Sequence, residues 1–350
     1  MLRRLYNQCL LRPADLPPSR EDLEVVGAFN PGAALTPEGV VLLVRVAERP
    51  RERRPGFTPL PRWGPATGGL AVDWEADGDL EPLDVRVVRR KRDGLVRLTF
   101  ISHLRVVRCG DGRRVESLGG PWMSPATGYE EFGVEDPRIT PVDGAFHFTY
   151  VAVSRHGAAT ALASTQAFRE CRRHGIIFPP ENKDVVLFPE RIGGMYAALH
   201  RPSPATPFTR PEMWLATSPD LRHWGGHRVL LGGGEEWEMG RIGGGTPPVR
   251  LPQGWLEIYH GSGRGRRGSV GAYSAGALLL DPDDPGRILG RSPRLFGPET
   301  AFEKKGFVPG VVFPTGIVPQ EDRVLVYYGA ADAFTAVVEF ELRELVAAFG

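Results

Sequence analysis

The sequence has only three cysteines in 350 residues, no long apolar run and a net charge of +1. Cys9, Cys109 and Cys171 are odd in number and lack the spacing of metal ligands, so we expect free thiols and no metal site. A net charge near zero excludes a general attraction to nucleic acid or to an anionic membrane. No apolar stretch approaches the roughly 18 to 20 residues of a transmembrane helix, so no membrane partner is expected.

The amino terminus also lacks the features of a secretory signal. Its first residues are basic, but neither a sustained apolar core nor a small-residue cleavage site follows. Together with the free thiols, this predicts a cytoplasmic location. Helical periodicity is likewise scarce and is confined to two short segments, residues 164–174 and 341–349.

Glycine and proline are abundant instead, with 44 and 33 residues, and they separate short apolar runs that are typical of β-strands. The strand-like runs are residues 40–46, 95–102, 104–108, 145–153, 160–164, 184–188, 195–200, 213–217, 255–260, 271–280 and 323–329. The runs 95–102 and 104–108 are expected to pair with each other.

The spacing of these runs suggests a unit of roughly 50–70 residues that is repeated about five times. Residues 164–171 (STQAFREC) and 217–224 (TSPDLRHW) resemble each other, and each follows an apolar run as a strand-to-strand turn would. Repeated four-stranded units without long helices favour a β-propeller over a β-sandwich. We therefore predict an all-β fold: a single five-bladed β-propeller domain over residues 25–350, with a short terminal helix and an N-terminal extension over residues 1–24.

The segment GVEDPRIT at residues 133–140 places two adjacent carboxylates and an arginine beside a strand-like run. A second carboxylate raises the proton affinity of its neighbour, and Arg138 can hold the other carboxylate ionised. This is one way to make a general acid that works near neutral pH. A turn held by an ion pair is the plainer interpretation of these residues taken alone.

Other conspicuous segments are assigned no chemistry. The arginine clusters at residues 49–55 and 264–267 are expected to be solvated loops rather than rims that attract an anionic substrate. The glycine triplets at residues 232–234 and 243–245 do not open a helix after a strand, so a nucleotide-binding site is rejected. Trp122, Trp237 and Trp255 are expected in the core rather than against sugar rings.

Ten segments, in this order, resemble glycoside hydrolase family 130, the mannoside phosphorylases and mannosidases built on a five-bladed β-propeller. They include GAFNPG at 27–32, GVEDPRI at 133–139, NKDVVLFP at 182–189, LHRP at 199–202, IGGGTPPV at 242–249, GWLEIYHG at 254–261, VFPTG at 312–316 and YYGAAD at 327–332. The resemblance runs from about residue 25 to the carboxyl terminus.

The resemblance implies an inverting single displacement, in which a carboxylic acid protonates the departing sugar oxygen while a nucleophile attacks the opposite face. It makes Asp136 the general acid, which relays its proton through a hydroxyl of the mannosyl unit. Phosphate is already an anion, so it needs cations to hold it and no second carboxylate. The phosphate-binding residues implied are Lys183, Arg201, Arg241 and His260. The substrate-binding residues implied are Asn30, Arg45, Glu135, Arg138, Asp184, Tyr259 and Asp332.

The resemblance thus predicts an inverting β-mannoside phosphorylase, which uses inorganic phosphate as co-substrate and no cofactor to release α-mannose 1-phosphate. Its substrate is a β-linked manno-oligosaccharide or mannosyl-glycoside. One alternative is an inverting β-mannosidase whose base is Glu235, Glu236 or Glu238. Another is a carbohydrate-binding propeller without catalysis. The linkage (β-1,4 or β-1,2), the acceptor sugar and a homo-oligomeric assembly are left open.

Overall fold

A computed structural model describes residues 1–65, 68–203, 210–265 and 270–349 of the chain. These residues form an all-β fold with two short α-helices. The strands, in chain order, are β1 Tyr6–Leu11, β2 Leu23–Thr36, β3 Gly39–Pro50, β4 Phe57–Gly64, β5 Gly69–Ala76, β6 Leu80–Pro82, β7 Val87–Arg90, β8 Val96–Leu98, β9 Ile101–Arg108, β10 Ser117–Met123, β11 Gly133–Val142, β12 Ala145–Ser154, β13 Gly157–Thr165, β14 Arg172–Phe178, β15 Asn182–Leu187, β16 Tyr196–Pro202, β17 Glu212–Ser218, β18 Gly225–Gly232, β19 Arg241–Gly243, β20 Val249–Leu251, β21 Gly254–Ser262, β22 Tyr273–Leu280, β23 Ile288–Arg291, β24 Val312–Gln320, β25 Arg323–Ala330 and β26 Phe334–Glu341. The helices are α1 Ala301–Lys304 and α2 Leu342–Ala347, and single 3-10 turns lie at Pro13–Asp15, Asp77–Asp79, Gly128–Glu130 and Glu236–Glu238.

Most strands belong to antiparallel meanders, in which consecutive strands are neighbours. The sheet orders are β15-β16-β17-β18, β19-β21-β22-β23 with β20 also on β21, and β24-β25-β26 with β1 added beside β26. The largest sheet has the order β14-β13-β12-β11-β9-β3-β2, with β10 also on β9. Its two halves join at one parallel pair, Gly133 with Ser102. Two small sheets, β4-β5 and β6-β7-β8, lie between β3 and β9 in the chain.

The apolar core lies between neighbouring sheets rather than in one central layer. One cluster joins β3 to β25 and β26 through Val44, Leu325 and Val337. Further clusters join β9 to β12, β13 to β16, β16 to β22, and β21 to β25. Because the strands are short and rich in Val, Leu and Ala, both faces of each sheet can bury side chains against the next sheet.

The two similar segments that the sequence singled out form equivalent turns. Phe168 lies between β13 and β14 and Leu221 between β17 and β18, and both are buried with positive φ angles of 56° and 66°. In each turn a hydroxyl group accepts a backbone N–H: Thr165 Oγ1 from Phe168 and Ser218 Oγ from Asp220. The resemblance between the segments therefore reflects the same connection in two sheets.

Most strand predictions agree with the structure, and the exceptions are local. Residues 104–108 do not pair with 95–102, because β9 runs unbroken from Ile101 to Arg108 after the short β8. Residues 164–174 are not helical: they contain the end of β13, the turn at Phe168 and the start of β14. The terminal helix is present as α2. The segment predicted as an N-terminal extension contributes β1, which pairs with β26.

No helix among the described residues is both long and apolar enough to span a membrane. Nor do the described ranges contain a group of three or more His, Cys, Asp and Glu side chains arranged to hold a metal ion. All three cysteines are free thiols, as predicted.

Candidate active site

A polar cavity of about 390 Å³ lies where the first strands of several sheets meet. Nine of the twelve residues that the sequence nominated line its wall. They are Asn30, Arg45, Glu135, Asp136, Lys183, Asp184, Arg201, Arg241 and Asp332. The other three, His260, Arg138 and Tyr259, are buried behind the wall with exposures of 1% or less.

The backbone delivers several of these side chains through irregularities in otherwise regular strands. Asn30, Asp136, Asp184 and Asp332 all have left-handed backbone conformations, with φ between 46° and 56°. Register shifts accompany the first three, in β2, β11 and β15. Asn and Asp tolerate this conformation better than other non-glycine residues, and a bulge re-aims a side chain out of the regular alternation. Strain held at four site residues is typical of a functional centre.

Arg45 holds the two adjacent carboxylates. Its Nη2 lies 2.6 Å from Glu135 Oε1, and its Nη1 lies 2.9 Å from Asp136 Oδ1. Asn30 Nδ2 donates a second hydrogen bond to Asp136 Oδ1 at 2.8 Å. Ser102 and the rings of Phe29 and Phe100 fix the guanidinium from behind. The arginine that contacts both carboxylates is thus Arg45 on β3, whereas Arg138 contacts only the backbone carbonyl of Asp136.

The two carboxylates respond differently to this environment. Burial raises the pKa of Glu135, and the charge of Arg45 offsets the rise only in part. Burial also tends to raise the pKa of Asp136, but the charges of Arg45 and Arg138 and the hydrogen bond from Asn30 bring that pKa below its ordinary value. A proton bound by the pair is therefore held more readily on Glu135 in the unliganded protein.

Arg138 ties the acid side of the cavity to the basic side. Its Nη1 donates to the backbone carbonyl of Asp136 at 2.9 Å, and its Nη2 lies 3.1 Å from Asp184 Oδ1. Arg201 Nη2 contacts the other oxygen of Asp184 at 2.7 Å. Burial raises the pKa of Asp184, but Arg201, His260 and Arg138 outweigh it and hold that pKa well below its ordinary value. Asp184 is thus a permanent anion that positions two arginines.

Cationic groups on this side retain unused hydrogen-bond capacity. Arg201 Nε and both ring nitrogens of His260 are buried without a hydrogen-bond partner among the described residues. His260 Nε2 lies 3.4 Å from Asp184 Oδ2, and burial lowers the pKa of the imidazole. Arg241 Nη1 donates to the Tyr273 hydroxyl at 2.6 Å. Lys183, Arg201 and Arg241 together line this part of the wall, and their positive charges suit an anionic ligand.

Tyr259 lies outside this site. Successive residues of a strand point to opposite faces, so His260 and Tyr259 on β21 cannot both face the cavity. The Tyr259 hydroxyl donates to Glu238 Oε1 at 2.7 Å, and its ring stacks on Trp237. A substrate-binding role for Tyr259 is therefore not supported by its position.

The acidic segment at residues 235–238 also lies away from the cavity. Glu238 is fully buried and is held by Tyr259, Arg291 and two backbone N–H groups. Glu235 and Glu236 line a separate surface pocket with Trp237. None of the three glutamates lines the cavity, and neither do Trp122, Trp237 and Trp255.

Sequence reasoning missed Arg86. Its Nη1 contacts Asp332 Oδ2 at 3.0 Å and its Nη2 contacts Asp84 Oδ2 at 3.0 Å, and all three residues line the cavity. Arg86 precedes β7 in a small sheet that no repeat or motif marks, so the sequence offers no signal for it. Tyr273 and Phe313 complete the wall near Arg241.

Comparison with known proteins agrees with the arrangement of these residues. The family model described as beta-1,4-mannooligosaccharide phosphorylase, glycoside hydrolase family 130, matches residues 98–349. A beta-1,2-mannobiose phosphorylase of Listeria innocua is 38% identical over 96% of this chain and 95% of its own length. A 1,2-beta-oligomannan phosphorylase of Thermoanaerobacter is 34% identical over 70% of this chain and 81% of its own length.

A solved structure of the Listeria innocua beta-1,2-mannobiose phosphorylase, in complex with beta-1,2-mannobiose, superimposes with a TM-score of 0.91. The match covers 97% of this chain and 96% of that chain at 38% identity. The fold, the cavity and the sequence agree, and the chain belongs to glycoside hydrolase family 130.

Proposed function

We propose that this protein is an inverting β-mannoside phosphorylase. The observation that carries the proposal is the division of the cavity into two sides: an acid held by Arg45 and Asn30, and a basic side formed by Lys183, Arg201 and Arg241. An acid on one side and an anion site on the other are what a single displacement by phosphate requires. The family membership and the phosphorylases among the similar proteins support the same reaction.

In this mechanism Lys183, Arg201 and Arg241 hold inorganic phosphate at the cavity wall, and His260 supports Arg201 and Asp184 from beneath. Guanidinium groups suit a phosphate because they donate two parallel hydrogen bonds. Phosphate attacks the anomeric carbon of the terminal mannosyl unit while Asp136 supplies the proton to the departing oxygen through a sugar hydroxyl. Asn30, Arg45, Glu135 and Asp332 surround that sugar, Arg138 positions Asp136 and Asp184, and the product is α-mannose 1-phosphate.

A hydrolase needs a base that activates water. The candidates from the sequence, Glu235, Glu236 and Glu238, lie outside the catalytic cavity. Glu181 is the carboxylate that has no ion pair among the described residues that line the cavity. Its side chain accepts one hydrogen bond, from the backbone N–H of Ala158 at 2.9 Å. A mannosidase reaction in this cavity would therefore depend on Glu181. A binding protein without catalysis is disfavoured by the intact acid pair.

We propose a β-1,2-linked mannoside as the substrate to test first. The similar proteins from Listeria innocua and Thermoanaerobacter act, by their names, on β-1,2-mannosides, and they cover more of this chain than the β-1,4-specific phosphorylase of Ruminococcus albus, which covers 58%. Inorganic phosphate is the co-substrate in this proposal. A cytoplasmic location and a homo-oligomeric assembly stay predictions.

We also propose that the sheets form five blades of a β-propeller over residues 25–350, with the N-terminal segment closing the ring. If the large sheet is divided at its single bridge between Gly133 and Ser102, five groups of about four strands result. The five core clusters then join each group to the next and the last group to the first. β1 completes the final group beside β26.

The test is the release of sugar from β-1,2- and β-1,4-mannobiose with and without inorganic phosphate. We expect release to require phosphate and to yield mannose 1-phosphate, with a loss of about 10²- to 10⁴-fold in kcat for Asp136→Asn. Phosphate-independent release of free mannose that is abolished by Glu181→Gln would instead establish the hydrolase. No turnover of either disaccharide, under conditions that stabilise the fold, would contradict both.

A further inference from the structure

A second cavity, of about 770 Å³, adjoins the first and is dominated by arginines. Its described lining residues are Arg201, Pro202, Ser203, Arg210, Pro211, Gly233, Met239, Gly240, Arg241 and Arg264. We call this space the arginine cleft. Arg264 belongs to the cluster that sequence analysis assigned to a solvated loop, so its place in the wall of a cavity is unexpected.

The arginine cleft opens onto the basic side of the catalytic cavity. Arg201, Ser203 and Arg241 line both spaces, whereas Asn30, Arg45, Glu135 and Asp136 line only the catalytic cavity. A ligand that moves along the cleft therefore meets Arg201 and Arg241 before it reaches the acid pair.

The charge of the cleft is unbalanced. No Asp or Glu is among its described lining residues. Arg210 and Arg264 form no ion pair with a described residue, and Arg241 bonds only to the neutral Tyr273 hydroxyl. Of the four arginines, Arg201 alone has a carboxylate partner, Asp184. Arg210, Arg241 and Arg264 are exposed to solvent.

We propose that the arginine cleft is the route by which anions reach and leave the catalytic cavity: inorganic phosphate in phosphorolysis, and a sugar 1-phosphate in both directions. The proposal rests on the phosphorylase function given above. A cleft lined by charges of one sign concentrates the opposite ion and raises its rate of association. A neutral mannoside gains nothing from that field, so Arg210 and Arg264 are assigned to the anionic substrate alone.

The test is the double variant Arg210→Gln/Arg264→Gln, assayed with phosphate and with the disaccharide as the varied substrate. At low ionic strength we expect the KM for phosphate to rise about five-fold, while the KM for the disaccharide stays unchanged. The difference in the KM for phosphate between the wild-type protein and the double variant should shrink in about 0.5 M salt, because the Debye length there falls to a few ångströms. Arg210→Lys/Arg264→Lys keeps both charges and should restore most of the affinity for phosphate.

Arg343→Gln is the matched control, since the Arg343 side chain is 83% exposed on α2 and lines neither cavity. An unchanged KM for phosphate in the double variant, or an equal rise for both substrates, would overturn the proposal. Thermal unfolding with and without phosphate separates the possible failures. If the wild-type protein hydrolyses its substrate without phosphate, the proposed function fails. In that case the assignment of the arginine cleft as an anion route is supported if phosphate raises the Tm of the wild-type protein more than that of the double variant. It is contradicted if phosphate raises both Tm values equally or neither.

Discussion

At the scale of single residues, Arg45 determines how the adjacent carboxylates share a proton. It contacts both Glu135 and Asp136, and burial together with the charge of Asp136 raises the pKa of Glu135 and leaves it the more basic of the two. Because its pKa is lowered, Asp136 gives up a proton readily but does not hold one well by itself in the unliganded protein. Two groups this close titrate as a pair, so the alkaline limit of activity belongs to both.

This coupling predicts a shift of the pH profile in Glu135→Gln. Activity requires a proton on the pair, so it is present below the pKa of the pair and is lost as the pH rises through it. The negative charge of Glu135 helps to keep a proton nearby, and its removal leaves Asp136 with a lowered pKa beside Arg45. We expect the alkaline limb of kcat/KM to move to lower pH. If the alkaline limb of kcat/KM stays at the same pH and only the maximum value falls, Glu135 binds sugar without affecting the proton on Asp136.

Burial also raises the pKa of Glu257, which does not line the catalytic cavity. The side chain is fully buried, it accepts a hydrogen bond from the Gly245 N–H at 2.9 Å, and its Oε2 has no hydrogen-bond partner in the described part of the chain. Burial raises the pKa of Glu257 to about 8 from an ordinary value of 4.5, with Gly245 and Arg138 opposing the rise. Its stabilising contribution is therefore complete below about pH 4.5 and is lost as the pH rises towards 8.

Glu257→Gln should remove this pH dependence, because the amide keeps the shape and the acceptor without the charge. A rise in pKa from 4.5 to about 8 corresponds to at most about 5 kcal/mol of stability. We expect the variant and the wild-type protein to have similar free energies of unfolding near pH 5. Near pH 8.5 the variant should be the more stable in urea denaturation. Parallel curves of stability against pH would contradict this account of Glu257.

The residues also show what sequence reasoning could and could not supply. Asp136 stood out because its neighbours form a recognisable motif, and nine nominated residues do line the cavity. The sequence could have shown that Tyr259 and His260 point to opposite faces, since they follow each other directly on a regular strand, β21. The ion pairs of Arg45 with Glu135 and of Arg86 with Asp332 were not available, because each joins residues far apart in the chain.

At the scale of elements, the glycine triplet at residues 243–245 supports the basic side of the cavity. A Cβ atom on Gly243 would lie 3.0 Å from both Arg201 Cδ and His260 Cε1. The sequence excluded a nucleotide-binding role for this triplet but gave no reason for its glycines. The structure supplies one: the end of β19 passes directly against the side chains of Arg201 and His260.

Gly243→Ala should therefore weaken phosphate binding by displacing Arg201 and His260. Displacements of a few tenths of an ångström to 1 Å at such sites cost up to about 100-fold, and we expect the KM for phosphate to rise about ten-fold. The matched control is Gly232→Ala, because a Cβ there meets nothing within 4 Å. Equal effects of the two substitutions would indicate a general loss of backbone freedom instead.

At the scale of the whole molecule, the amino and carboxyl ends are joined in one sheet. β1 pairs with β26, Leu11 is 2% exposed, and the Tyr328 hydroxyl donates to Asn7 Oδ1 at 2.7 Å. The sequence separated residues 1–24 as an extension because they carry no family motif, and long-range strand pairing leaves no local trace in such a segment. The similarity between the segments that form the turns at Phe168 and Leu221, by contrast, was legible from the sequence.

Removal of residues 1–11 should destabilise the protein as a whole, because it exposes the edge of β26 and the apolar cluster beneath β1. We expect the Tm to fall by about 5 to 10 °C in calorimetry. A chain that lacks only residues 1–3 retains β1 and the ion pair of Arg4 with the buried Glu303, and is the matched control. A truncated protein with an unchanged Tm would contradict a closing role for β1.

The central claim is a single displacement by phosphate, with Asp136 and the phosphate site on opposite faces of the sugar. The most direct measurement is NMR of the products as they form from β-1,2-mannobiose and inorganic phosphate, with ³¹P and ¹H spectra recorded before the anomers equilibrate. We predict equimolar mannose and mannose 1-phosphate in the α configuration, with no product when phosphate is omitted. A β-configured sugar phosphate, or free mannose as the sole product, would contradict the account.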